Sequence, residues 1–271
     1  MAKTALVTGA SSGIGRMVAQ ELKSAGFKVY AAARRVERMA DLEKEGITPI
    51  ALDLTDEKSI SECVNTILSK EKSIDVLVNN AGYGSYGAIE DVPLSEGRRQ
   101  FDVNLFGMAR LIQLVTPAMR RNHYGKIVNI SSMGGRIWTK FGGWYHATKY
   151  AVEGLSDCLR MELKPFGIDV IVVEPGGIKT DWGIIAAENL KKTSANGAYA
   201  EMANEAAEGM IKNYSGNMLS KPELIARTVR KAVTKRRPRT RYLVGFGAKP
   251  MVWTHKIFGD RVFDWVIKKF S

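Results

Sequence analysis

Short apolar runs alternate with helix-patterned stretches of about ten residues or more along most of the chain. This alternation restricts the fold more than any other feature. Lys3–Thr8, Phe27–Ala33, Ile47–Leu52, Asp75–Asn79, Lys126–Ile130 and Ile168–Val173 read as strands. Between them Gly13–Ala25, Val36–Lys44, Asp56–Lys70, Ser95–Arg121 and Trp144–Leu163 read as helices. A strand that returns through a helix pairs in parallel with its predecessor, so the pattern predicts βαβ units and an α/β fold. Over residues 181–220 the pattern weakens, and a long interruption after a sheet strand suggests a lid over a site. Lys221–Lys235 resumes a helix and Arg241–Val244 offers a last strand. The expected organisation is one domain over residues 1–248 and a basic, amphipathic helical tail over residues 249–271.

The segment Thr8-Gly9-Ala10-Ser11-Ser12-Gly13-Ile14-Gly15 joins the first strand to the first helix. Glycines there let the backbone approach a pyrophosphate, and the helix start supplies N–H donors and a positive dipole. Gly9, Ser11, Ser12, Gly13, Ile14 and Gly15 are therefore candidate cofactor residues. The second strand ends in Arg34-Arg35 without an acid. A carboxylate at that place suits a ribose 2′-hydroxyl, whereas paired guanidinium groups suit a 2′-phosphate. The cofactor expected is NADP(H) in preference to NAD(H).

Tyr145 and Lys149 lie four apart in a helical stretch and so share a face. An ammonium beside a phenol favours the phenolate and lowers its pKa by about 1–3 units. Ser132, thirteen residues before Tyr145, could bond the same oxygen, with Ser131 as the fallback hydroxyl. Alone, this spacing also describes an ordinary pair on a helix surface.

In order and spacing these motifs resemble those of the short-chain dehydrogenase/reductase family. The matching pieces are Thr8–Gly15, Asp53-Leu54, Asn79-Asn80-Ala81-Gly82, Asn104, Ser132, Tyr145 with Lys149, and Pro175-Gly176 followed by Thr180. The resemblance implies a Rossmann-like, doubly wound, mostly parallel seven-stranded sheet with helices on both faces. It assigns Ser132, Tyr145, Lys149 and Asn104 to catalysis, Asn104 through a water that passes protons by way of Lys149. It gives Asp53 and Leu54 to the adenine and Asn80, Ala81 and Gly82 to the adenosine side. Pro175, Gly176, Ile178 and Thr180 fall at the nicotinamide end, where Tyr145 and Lys149 also meet the cofactor. Tyr83, Tyr86, Trp138, Phe141, Trp144 and Trp182 come from segments that would surround the nicotinamide, implying an apolar steroid-, retinoid- or aryl-ketone-like substrate. His146 either narrows that pocket or faces away. A homodimer or homotetramer is implied, with Ser95–Arg121 and Trp144–Leu163 as contact surfaces.

Charge adds one further constraint. The net charge is +12, and residues 221–271 hold 14 Lys and Arg against 3 Asp and Glu. Such asymmetry suggests an anionic partner, or merely a solvated basic face. The tail mixes Trp253, Ile257, Phe258, Val262, Phe263, Trp265, Val266 and Phe270 with cations, the composition of an interfacial helix or of a cover for the domain. No nucleic-acid module accompanies the charge. Cys63 and Cys158 are read as thiols of a reducing compartment, and the three histidines lack ligand spacing, so no metal is expected. The chain enters its first strand too soon for a signal peptide, giving a cytoplasmic expectation, peripheral to a membrane if the tail attaches. The competing functional reading is a catalytically weak NADP(H)-binding scaffold or sensor.

Overall fold

The computed structural model describes residues 2–270. Seven strands, β1 (Thr4–Thr8), β2 (Lys28–Ala33), β3 (Thr48–Ala51), β4 (Val76–Asn79), β5 (Gly125–Ile130), β6 (Ile168–Pro175) and β7 (Arg241–Val244), form one sheet in the order β3-β2-β1-β4-β5-β6-β7. Every neighbouring pair is parallel. Strand order reverses between β1 and β4, and ligands of open α/β sheets bind at the strand ends beside such a reversal.

The helices are α1 (Gly13–Ser24), α2 (Ala40–Lys44), α3 (Glu57–Leu68), α4 (Leu94–Phe101), α5 (Gly107–Arg121), α6 (Gly143–Leu163), α7 (Trp182–Ser194), α8 (Ala200–Ser215), α9 (Pro222–Thr234) and α10 (Ala248–Phe270). The inner strands β1, β4 and β5 are buried along their whole length because both sheet faces are covered there. Ala5 and Val7 face one core, with Val18 and Leu22 of α1 and Ile225 and Val229 of α9. Leu6, between them, faces the other, with Val64 of α3, Val115 of α5 and Val152 of α6. A one-residue slip of β1 would exchange these sets, so burial fixes its register.

Three details differ from the sequence expectation. The helical stretch expected over 95–121 is interrupted by a π-helical turn at Asp102–Phe106, which carries Asn104. The interruption over 181–220 contains α7 and α8, packed on each other and over Tyr86 and Tyr145. The tail begins at Ala248 and breaks at Gly259, whose φ of +74° is a left-handed conformation that glycine adopts without a Cβ clash. Phe263, Val252 and Ile267 of this helix pair pack on Ile137, so its inner face is part of the fold.

Candidate active site

Residues from the ends of β1, β4, β5 and β6 converge at the C-terminal edge of the sheet. Asn80 donates through its side-chain amide to the Thr8 carbonyl at 3.0 Å, while the Thr8 hydroxyl accepts from the Asn80 and Ala81 amides at 3.0 Å. Asn80 is thus a staple between β4 and the glycine loop. Gly9 (φ +67°) has no room for a side chain: a Cβ there would lie 2.8 Å from the Ala81 Cα.

The helix start beyond this loop fits an anion. Ser12 caps α1 without a side-chain hydrogen bond, and no acid occupies the first turn. The orphan N–H groups of that turn are therefore not satisfied by the Ser12 side chain. At Gly13 a Cβ would come within 3.3 Å of the Thr180 methyl, closing the space between the loop and the segment after β6. Ser11 and Ile14 are half-buried in the same turn, and Gly15 packs on the Gly9 carbonyl. These residues fit the pyrophosphate of a dinucleotide. Arg16 does not contribute, because its guanidinium pairs with Asp41 and donates to the Arg38 carbonyl.

Arg34 and Arg35 are exposed, and neither guanidinium makes an ion pair or hydrogen bond among the described residues. Asp53 lies near Arg34. Burial would raise its carboxyl, but the Thr55 N–H and hydroxyl and the Arg34 charge hold it below the ordinary range. Leu54 is buried in the core, where its carbonyl backs onto Gly107. Ile178 likewise turns its side chain into the core near Gly245, while Pro175 ends β6 and the Gly176 amide donates to Val244.

The catalytic candidates come together as expected in position, though not in ionisation. Tyr145 is 8 % exposed and Lys149 7 %. The Ser132 hydroxyl accepts from the Gly134 amide at 3.0 Å and stands near enough to the Tyr145 phenol to bear on its pKa. Ser131 lies on the Glu153 side, and its buried hydroxyl has no hydrogen-bond partner among the described residues. The expected lowering of the tyrosine pKa is absent. Burial pushes the Tyr145 phenol well above 10, with the Ser132 hydroxyl opposing. Lys149 donates to the Ile130 carbonyl at 2.9 Å and stands 5.8 Å from the Tyr145 ring centroid. Burial lowers the Lys149 ammonium to about 8, with Glu153 opposing.

A stability prediction follows from Lys149. Its folded pKa lies below the ordinary 10.5, so the unfolded chain binds more protons between about 8 and 10.5. Folding stability should therefore rise with pH through this window for Lys149 and lose that increment as pH falls toward 8. Denaturant titrations of wild type and Lys149→Met from pH 8 to 10 should show a shallower rise in the variant. Equal slopes would remove the buried ammonium from the account.

Asn104 accepts from the Tyr83 amide at 3.0 Å and donates to the Tyr83 carbonyl at 2.9 Å and the Thr148 hydroxyl at 3.0 Å. A Cβ at Gly82 would meet the Asn104 Oδ1 at 3.0 Å and the Lys149 Nζ at 3.8 Å, so glycine keeps open the gap between them. His146 is neither a pocket wall nor a surface group. Its Nε2 accepts from the Thr139 amide at 3.0 Å, which leaves Nδ1 as the donor to the Gly134 carbonyl at 2.9 Å. The neutral ring, held neutral by burial, ties the loop after Ser132 to the start of α6.

Of the six aromatic residues expected around the reacting centre, Trp182, Phe141 and Tyr86 are there, while Trp144 packs instead on Gly97 and Phe101. The Trp182 ring lies 5.0 Å from Tyr145, and Phe141 packs into the same cluster. Trp138 is a correction: its indole N–H donates to Asp264 at 2.9 Å and its ring meets Phe263 at 5.3 Å, because the inner face of α10 needs an apolar partner. Tyr83 is another: its hydroxyl donates to Glu96 at 2.9 Å, and the Arg99 guanidinium lies 6.0 Å from its ring, drawing it toward α4. Tyr86, 6.0 Å from Tyr145, and Tyr214, 6.3 Å from Trp182, complete the wall. Tyr214 had no sequence signal beyond its place in the lid. A surface concavity of about 390 Å³ lies elsewhere, between Leu243, Phe246 and Pro250.

A family model described as short chain dehydrogenase matches residues 3–191. The chain belongs to the short-chain dehydrogenase/reductase family. Among its relatives is the probable short-chain type dehydrogenase/reductase VdlC of Helicobacter pylori, 35% identical over 96% of this chain and 94% of that protein. A short-chain dehydrogenase from Streptomyces avermitilis superposes with a TM-score of 0.82 at 35% identity, covering 94% of this chain and 92% of its own. A variant of actinorhodin polyketide ketoreductase with NADPH has a TM-score of 0.74 at 28% identity, covering 89% and 94%. Membership makes the chain one of a family of oxidoreductases, and it agrees with the observed Rossmann-like sheet.

Proposed function

We propose that this short-chain dehydrogenase/reductase uses NADP(H) to interconvert an apolar carbonyl compound and its alcohol. The observation that carries the reading is a buried Tyr145 with Ser132 near its phenol, walled by Trp182, Tyr86 and Phe141, beside a glycine loop shaped for pyrophosphate. The nicotinamide supplies hydride chemistry when bound. Ser132 donates to the carbonyl oxygen, a bond that strengthens as charge grows there. Tyr145 carries its proton at neutral pH, as an unperturbed phenol does and as burial reinforces, and it is the acid in the reductive direction. Lys149 would meet the cofactor ribose, and Asn104 would hold a water in the gap that Gly82 leaves. Gly9, Ser11, Ser12, Gly13, Ile14 and Gly15 hold the pyrophosphate, and Arg34 and Arg35 the 2′-phosphate. Substrate entry requires α7 and α8 to part from Tyr145. Exposed Phe106 and, on α6, Tyr150 and Met161 favour assembly as a homodimer or homotetramer.

A panel of ketones, aldehydes and alcohols assayed with NADPH, NADH and their oxidised forms tests this reading. NADPH should be preferred over NADH by about tenfold or more, two guanidinium groups being worth at least one charge-assisted bond of roughly 1.5–3 kcal/mol. Arg34→Ala with Arg35→Ala should raise KM for NADPH and leave KM for NADH nearly unchanged. Equal use of both cofactors by the wild type would exclude the assignment of the arginines.

A further inference from the structure

We propose that the outer face of α10 is a docking surface for an anionic lipid bilayer. Its inner stripe, Val252, Phe263 and Ile267, is buried against Ile137, with Met133 and Trp138 beside it. The opposite side remains strongly apolar. Ile257 is 64 % exposed, Phe258 62 % and Trp265 59 %, with Trp253 and Val262 also exposed. Trp253 and Ile257 are four apart on one arm, Val262 and Trp265 three apart on the other, and both spacings keep a pair on one face. The two stripes meet in the chain at Ile257-Phe258, immediately before the break at Gly259.

Charge selects the occupant. The tail carries Lys249, Lys256, Arg261, Lys268 and Lys269 against only Asp260 and Asp264. Both acids are engaged within the fold: Asp264 accepts from the Trp138 indole, and Asp260 pairs with His255, itself bonded to the Arg136 carbonyl. Lys256 lies over the Trp253 ring at 5.3 Å and Lys269 over Trp265 at 4.0 Å, so cations flank the exposed indoles. Indoles beside lysines are what a headgroup layer accepts, the rings at the acyl boundary and the ammonium groups among phosphates. A second copy of the same face would set like charges together, whereas an anionic leaflet neutralises them. No helix among the described residues is long and apolar enough to cross a membrane, so attachment is to the surface. Because the inner stripe packs on Met133 and Ile137, just after Ser132, docking would bring the segment that follows Ser132 near the lipid.

Flotation with vesicles of phosphatidylcholine alone, and of phosphatidylcholine with about one-third phosphatidylglycerol, tests the proposal. The full chain should float with the anionic vesicles, less so at high salt, and weakly with the zwitterionic ones. Ile257→Glu with Phe258→Glu should lower the bound fraction about tenfold or more, since it replaces two membrane-inserting side chains with charges. Sedimentation should give the two proteins the same mass, and thermal melts the same midpoint within a few degrees. For the wild type alone, brominated acyl chains should quench tryptophan emission, a result that needs no variant to fold. Absence of flotation by the wild type, equal flotation by the variant, or no quenching would overturn the proposal. So would loss of an oligomer in the variant without any vesicle effect, which would make this face a contact between copies.

Discussion

Replacing Tyr145 by Phe should reduce turnover by about 10²–10⁴-fold while leaving the NADPH dissociation constant within about threefold of wild type. The change removes the buried phenol, and with it the proton donor to a carbonyl oxygen. It leaves the ring that packs against Trp182 and Tyr86. Thermal stability should therefore hold within about 1 kcal/mol, the net worth of one hydrogen bond. Fluorescence titration with NADPH and initial rates on the same preparation separate the two effects. A parallel loss of cofactor affinity would show that the phenol is needed to shape the binding cleft rather than to move a proton.

The largest stability effect should come from a residue outside the catalytic group. Arg241 begins β7 and reaches back across α6, its Nε 3.0 Å from Glu153 and its Nη2 2.6 Å from Asp157. Glu174, 2 % exposed, lies 3.5 Å away and also pairs with Arg136. Burial already pushes the Glu153 carboxyl up, with Arg241 opposing. Arg241→Ala would leave this carboxyl buried without its cation, at a cost of about 3 kcal/mol, the low end for breaking a buried pair because the guanidinium is partly exposed. Acidification should shrink the deficit, because a carboxyl with a raised folded pKa takes up its proton in the folded state first. Adding Glu153→Gln should recover part of the loss, and a double-mutant cycle by denaturant titration measures the coupling. An Arg241→Ala protein as stable as wild type at neutral pH would show that water, not Arg241, solvates Glu153. Glu153 stands one helical turn from Lys149, so the pair also sets the field around the catalytic lysine.

Local pattern carried much of this structure. The period of the apolar runs located six of the strands, and Arg241–Val244 was read correctly as the seventh. Tyr145 and Lys149 were legible because both belong to one helix, and a four-residue spacing fixes their common face. Properties set by distant partners were not legible. Trp138 goes to Asp264, 126 residues away, and no local signal separates that partner from a pocket. Tyr83 follows Glu96 and Arg99 for the same reason. The charge state of Tyr145 depends on how deeply the lid buries it, so spacing alone gave the wrong direction. Gly259 was a readable signal, since glycine within a helical pattern marks a possible break. The role of His146 required both ring nitrogens to be located, at Thr139 and at Gly134.

The most direct test of the central claim is a single turnover with NADPH deuterated at the transferable C4 position and a ketone found active in the panel. Deuterium should appear on the carbinol carbon of the product in the wild type. The same transfer should be slowed by about 10²-fold or more in Tyr145→Phe at saturating cofactor. Product without deuterium at that carbon, or transfer at the wild-type rate in Tyr145→Phe, would contradict a hydride transfer completed by the Tyr145 proton.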